Sequence, residues 1–125
     1  MKKAKDRGGE KVTDCIFCKI INGEIPSDII YEDDKVIAFK DVNPQAPIHF
    51  LVIPKEHIIS MNHIDEGNLE LIGHIFLVIK ELAEQLDIHE EGYRIVNNCG
   101  EFGGQTVSHI HFHVLAGRKL LWPPG

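Results

Sequence analysis

The chain lacks any excess of positive charge. Thirteen Lys and Arg stand against nineteen Asp and Glu, a net charge of −6 with histidines neutral. A protein that grips nucleic-acid backbones normally carries a basic excess, so general nucleic-acid binding is argued against. A small anionic ligand is not, because a site is local and net charge is not. Long apolar runs are also missing. None reaches membrane-spanning length, and the start Met1-Lys2-Lys3-Ala4-Lys5-Asp6 leads into no apolar signal segment. The chain therefore reads as cytoplasmic, with no membrane partner. Cysteines number three, and an odd count makes a disulfide scaffold a poor reading. No internal repeat or low-complexity tract is visible. What remains is an ordinary globular composition over 125 residues, enough to bury one core.

Residues 1–13 are charged and glycine-containing and read as a disordered arm, with a single domain over 14–125. Asp14 is expected to N-cap a short helix through Cys15, Ile16, Phe17, Ile20 and Ile21, with Gly23 as its stop. Ile29 to Glu32 and Val36 to Phe39 read as strands flanking an Asp33-Asp34 turn, and His49 to Ile53 as a third strand. His49, Leu51 and Ile53 share one face of it. From about Asp65 to Leu86, apolar residues at Leu69, Ile72, Ile75, Phe76, Ile79, Leu82, Ala83 and Leu86 trace one helical face. Tyr93 to Asn97 reads as a fourth strand, and Arg118 to Leu121 as a last extended piece. The sum is an α+β fold, a mostly antiparallel sheet with one main helix.

The chemistry concentrates in His109-Ile110-His111-Phe112-His113. In a strand, residues i, i+2 and i+4 face one way, which sets the three imidazoles about 6–7 Å apart on one surface. Ile110, Phe112 and Val114 then face a core. Three readings compete. Imidazole is the commonest metal ligand, so the row could hold a metal. One histidine could attack phosphorus while its neighbours hold the oxygens. Or the rings make hydrogen bonds on a polar sheet face. The preceding Gly103-Gly104-Gln105-Thr106-Val107-Ser108 offers backbone N–H groups unhindered by Cβ, an amide and two hydroxyls, all suited to phosphate oxygens.

The stretch Gly104 to Leu115 resembles the histidine-triad (HIT) signature, His-x-His-x-His followed by apolar residues. Asp14-Cys15-Ile16-Phe17-Cys18-Lys19-Ile20-Ile21, Asp41-Val42-Asn43-Pro44-Gln45-Ala46-Pro47, His49 to Lys55 and the terminal Trp122-Pro123-Pro124-Gly125 resemble the HINT branch of that superfamily. The terminal segment separates the branch from Fhit-type diadenosine polyphosphate hydrolases. The resemblance implies five-stranded antiparallel sheets, each with one long and one short helix, joined as a ten-stranded sheet across a homodimer. It implies a purine nucleotide site, hydrolysis of adenosine 5′-monophosphoramidates and related AMP conjugates, and no cofactor for catalysis.

Carried over by motif position, His111 is the nucleophile and forms a covalent nucleotidyl-histidine, with a backbone carbonyl holding its other ring nitrogen. His113 contacts phosphate and His109 supports the row. Gln105 and Thr106 lie toward the leaving group, and Asn98 is a phosphate-side amide. Asp41 accepts the ribose hydroxyls. Ile16, Phe17, Ile20, Phe39 and Val42 wall the base, with core packing as the alternative, and His49 belongs to the nucleotide site. Trp122 sits on a tail that approaches the partner's active site. Thr106 stands where many members carry serine, and Cys99-Gly100-Glu101-Phe102 is not the usual loop, so Phe102 could alter which leaving groups fit.

Cys15 and Cys18 have zinc-ligand spacing. Some bacterial-type HIT proteins resemble this pattern and bind a structural zinc through such a pair. The set implied here is Cys15, Cys18, His49 and His109, a closed Cys2His2 site; the alternative is two small buried thiols. Cys99 reads as an incidental loop thiol, and His57, His63, His74 and His89 as surface or turn residues. Two other functions stay open beside the phosphoramidase reading. One is a nucleotide-binding adaptor with secondary activity; the other is a dinucleoside polyphosphate hydrolase.

Overall fold

A computed structural model describes residues 14–125. The reading of residues 1–13 as an arm lies outside the described residues.

Five strands form one antiparallel sheet in the order β1-β2-β3-β5-β4. They are β1 (Ile29–Glu32), β2 (Val36–Lys40), β3 (Ile48–Pro54), β4 (Arg94–Val96) and β5 (Phe112–Ala116), with helices α1 (Ile16–Ile21) and α2 (Leu69–Gln85). Central β2 and β3 are apolar on both faces because both faces are covered. Val36, Ala38, Phe50 and Val52 pack against Ile72, Ile75, Val78, Ile79, Leu82 and Ala83 of α2. Ile37, Phe39, Leu51 and Ile53 pack against Phe17, Ile20 and Ile21 of α1. Because α1 is only six residues long, its cover is short.

The expected helix from Asp65 starts four residues later. Asp65 Oδ1 accepts from Gly67 N at 2.9 Å, and Asn68 Oδ1 accepts from Asp65 N at 2.9 Å. These short polar side chains hold a turn and delay the helix. At α1 the N-cap is Cys15 rather than Asp14, its Sγ accepting from Cys18 N at 3.4 Å. β5 begins at Phe112, not His109. The carbonyls that would extend its ladder are taken: His109 O by the His111 ring at 2.8 Å, and His111 O by Asn97 Nδ2 at 2.9 Å. The side-chain alternation nevertheless persists, with Ile110, Phe112 and Val114 in the α2-side core. Arg118 to Leu121 forms no strand; Arg94 Nη2 donates to the carbonyls of Leu120 at 3.3 Å and Leu121 at 3.0 Å instead.

Candidate functional site

The antiparallel pairing of β3 with β5 sets the layout. His113 stands opposite Leu51, and His49 opposite Leu115. Going back along β5 toward His109 therefore means going forward past Pro54 on the other chain. His49 lies at one end of this pair of strands, and His57, in the turn after β3, at the other. Two clusters result.

The first comprises Cys15, Cys18, His57 and His109, all buried, with their ligand atoms within 4.8 Å of one another. His109 Nδ1 lies 3.4 Å from Cys15 Sγ, 3.6 Å from Cys18 Sγ and 3.2 Å from His57 Nδ1. His57 Nδ1 is 3.1 Å from Cys18 Sγ. His109 Nε2 donates to Pro54 O at 2.8 Å, so the lone pair of Nδ1 faces the cluster. The Cys15 thiol is held far below its ordinary value, chiefly by the bond it shares with Cys18 and then by His109 and His57, against the opposing effect of burial. A thiolate beside imidazole lone pairs is the donor set a zinc ion requires. Zinc bonds to sulfur and nitrogen in a tetrahedron give ligand–ligand edges of about 3.3–3.8 Å, close to the spacings present. The four residues fit the ion.

This arrangement corrects the ligand set expected from the sequence. His49 is not in the cluster; His57, read above as a surface or turn residue, takes that place and is completely buried. The physical reason is the register: His49 is at the far end of β3 from His109. Of the other histidines set aside as surface residues, His74 is part-buried and meets Asp33 Oδ2 at 2.7 Å.

The second cluster contains His111, His113, His49 and Asp41. His111 is buried, 3% exposed, and its Nδ1 donates to His109 O at 2.8 Å. Nε2 is thereby left with its lone pair. Burial pushes the His111 pKa down, more than the bond to the His109 carbonyl raises it, and the ring is neutral near pH 7. Phe17 packs edge-on against both His109 and His111, with ring centroids 5.9 and 5.1 Å away. His113 lies 5.1 Å from His111 by ring centroids. Its pKa is pushed down to about 4 by burial, then by His111 and His49, with Asp41 opposing. His49 is lowered too, by burial against Asp41.

Asp41, His49 and His113 also bring three donor atoms together. They do not form a metal site by their hydrogen bonding. Gln45 N donates to His49 Nδ1 at 3.0 Å, so the proton of a neutral His49 occupies Nε2, the atom a metal would need.

The loop before the triad is shaped internally. A Cβ on Gly103 would meet Cys99 O at 2.3 Å, and Gly104 adopts φ +83, so both positions demand glycine. Gln105 Oε1 accepts from Gly100 N at 3.0 Å, and its Nε2 donates to Ile59 O at 2.7 Å and Val107 O at 2.9 Å. Gln105 thus holds the loop. Thr106 is exposed and Asn98 half-buried, while Phe102 stands fully in solvent. Phe17, Ile20 and Phe39 are buried in the α1-side core, whereas Ile16 and Val42 are exposed, as is Trp122. Asp41 Oδ1 accepts from Asn43 N at 2.8 Å, which orients the carboxylate. Sequence reasoning missed Asn97, whose side-chain amide holds the His111 carbonyl, and Gln45, which acts through its own backbone groups. It also missed His57 as a member of the Cys/His cluster, although it follows β3 directly.

A five-stranded sheet carrying a His-x-His-x-His row, its first two rings buried and its third part-exposed, is the arrangement of a histidine-triad protein. The HIT domain family matches residues 22–120, and the chain belongs to that family. It is 54% identical over 112 residues to an uncharacterized HIT-like protein of Synechococcus elongatus, covering 90% of this chain and 97% of that protein. Among solved structures, it resembles a HIT family hydrolase from Legionella pneumophila at TM-score 0.88 and 47% identity, covering 90% of this chain and all of the other. A histidine triad protein from Clostridium difficile matches at TM-score 0.85 and 50% identity, over 90% of this chain and 97% of the other. A histidine triad nucleotide-binding protein from Candida albicans matches at TM-score 0.75 and 36% identity, over 88% and 83%. At the level of the family, the chain is hydrolase-like.

Proposed function

We propose that the protein hydrolyses adenosine 5′-monophosphoramidates and related nucleotidyl conjugates through a covalent nucleotidyl-His111. The observation that carries this reading is the bond from His111 Nδ1–H to the His109 carbonyl at 2.8 Å. It anchors one ring nitrogen and points the chemistry to the other. The Nε2 lone pair attacks the α-phosphorus, a new N–P bond forms, and the bond to the leaving amine breaks. The departing amine takes its proton from solvent at the side of exposed Thr106, and the proton released when water later attacks returns to solvent. Water then attacks phosphorus, the His111–P bond breaks, and AMP leaves with the ring restored to neutral. His113 and Asn98 stabilise the phosphoryl oxygens as charge builds. Gln105 keeps the glycine loop in place beside them. Asp41 accepts the ribose hydroxyls, and Ile16 and Val42 supply apolar surface for the base, backed by Phe17, Ile20 and Phe39.

Zinc in this reading is structural. Cys15, Cys18, His57 and His109 would hold it, tying α1 to the turn after β3 and supporting the carbonyl that anchors His111. It supplies charge and cross-linking there, and the hydrolysis needs no metal.

The working form would be a homodimer. The β4 edge is the side on which a second sheet would add, because β1 carries an irregularity between Ile29 and Tyr31 that spoils pairing on the other edge. Leu69, Phe76 and Leu77 leave apolar surface on the outside of α2. The tail carrying Trp122 is clamped by Arg94 of β4, at the same margin.

The test is AMP release from an adenosine phosphoramidate. The native chain is expected to turn it over, and His111→Ala to release none while keeping its circular dichroism spectrum. A variant at full rate would remove His111 from the role. Nucleotide binding without turnover by the native chain would favour the adaptor reading.

A further inference from the structure

His49 lies between a backbone donor and His113. Gln45 N–H donates to His49 Nδ1 at 3.0 Å. A nitrogen that accepts carries the lone pair, so neutral His49 bears its hydrogen on Nε2. That nitrogen has two candidate acceptors, His113 Nδ1 at 2.9 Å and Asp41 Oδ2 at 3.4 Å. The shorter contact takes the hydrogen, because the longer one is near the limit of a hydrogen bond. His113 Nδ1 is then an acceptor, and neutral His113 must carry its hydrogen on Nε2. Asp41 Oδ2, 3.8 Å from His113 Nδ1, is too distant to hold a proton there instead. Gln45 itself is gripped from the other side: Arg118 Nε and Nη2 donate to its carbonyl at 3.2 and 2.9 Å.

We propose that His49 is a positioning residue that fixes the tautomer of His113, so that His113 presents Nε2–H, a donor, to the phosphoryl oxygens. The relay runs from the Gln45 peptide through both rings without any change of charge. With the opposite tautomer, His113 would turn a lone pair toward oxygen lone pairs, and stabilisation would become repulsion. The function of the relay rests on the phosphoryl role given to His113 above; the tautomer itself does not.

The experiment uses the full chain labelled with 15N on histidine. Long-range 1H–15N correlation at neutral pH reads the protonated nitrogen of His113, its signals assigned by their loss in His113→Phe. The expected result is protonation at Nε2. His49→Gln keeps an N–H donor near the original Nε2 and should preserve that pattern. His49→Glu puts an acceptor there and should move the His113 hydrogen to Nδ1. In adenosine phosphoramidate turnover, His49→Glu should lower kcat about 100-fold, the scale of one lost oxyanion donor, while KM moves less than about threefold. His49→Gln should recover most of that loss. Protonation of His113 at Nδ1 in the native chain overturns the proposal, and so does His49→Glu leaving tautomer and kcat unchanged. If the native chain hydrolyses no phosphoramidate, the hydrolase reading fails, and the spectrum still decides the tautomer.

Discussion

His109 and His113 belong to one alternating row, four residues apart, yet their surroundings differ in kind. His109 is completely buried, with one nitrogen spent on Pro54 O and the other facing two sulfurs and a second imidazole. His113 is part-exposed, with one nitrogen facing His49. His111 between them borrows from both, anchored by the His109 backbone and adjoining the His113 ring. The difference follows from how far α1 reaches. Under its cover His109 and His111 are buried, with Phe17 edge-on to both rings; beyond it His113 stays part-exposed.

The comparison breaks most sharply at the buried cluster. Cys18→Ala removes one of four converging donors and leaves the others uncompensated in the interior. The cost should be about 3 kcal/mol, as for breaking a buried charge pair, or roughly a 10 °C fall in melting temperature for a chain of this size. Zinc measured by elemental analysis should fall from one per chain to none. A variant that melts like the native chain would make the cluster two inert thiols beside two histidines.

Acid titration probes the other end. His113 is pushed down to about 4 from an ordinary 6.5, so the unfolded chain takes up its proton first. Its contribution to stability is complete above pH 6.5 and is lost as pH falls toward 4. Asp33 acts lower on the scale. Burial would raise its carboxyl, but the bonds from His74, Lys35 N, Tyr31 and Val36 N outweigh it and hold it to about 2. That contribution is present above about pH 4 and fades through pH 2. Chemical denaturation from pH 8 to 4 should show the first loss, and His113→Asn should flatten it. An unchanged slope would contradict the burial argument.

How much of this could be read from the chain alone depended on distance. The unbroken apolar character of Val36 to Phe39 and Phe50 to Ile53 marks central strands, and the spacing from Leu69 to Leu86 marks α2, because these signals are local. The sidedness of Ile110, Phe112 and Val114 is local too, and survives even where the strand itself gives way. The replacement of His49 by His57 beside Cys15, Cys18 and His109 was not legible. Both histidines flank the same strand, and only the pairing of Leu51 with His113 says which one meets His109. Register is set between segments sixty residues apart, and periodicity within either is silent about it. Gln45 and Asn97 escaped for a related reason: Gln45 works through its own backbone amide and carbonyl, and the side-chain amide of Asn97 meets the carbonyl of His111, groups that carry no sequence pattern.

The smallest expected effect is at Arg118. Arg118→Lys keeps the charge and loses the fork on Gln45 O. Turnover should drop only about two- to threefold, the scale of an exposed hydrogen bond of about 0.5 kcal/mol. A loss as large as that of His49→Glu would mean that the tail, and not the β2–β3 loop, sets the geometry.

The most direct measurement is trapping of the reaction intermediate by an alkaline denaturing quench, because the nucleotidyl-histidine N–P bond hydrolyses in acid. The native chain, mixed with excess adenosine phosphoramidate and quenched within one turnover, should gain the mass of one adenylyl group, mapped by peptide fragmentation at alkaline pH to His111. An adenylyl group on His109 or His113, or hydrolysis with no labelled histidine at any quench time, would contradict the division of labour along this strand.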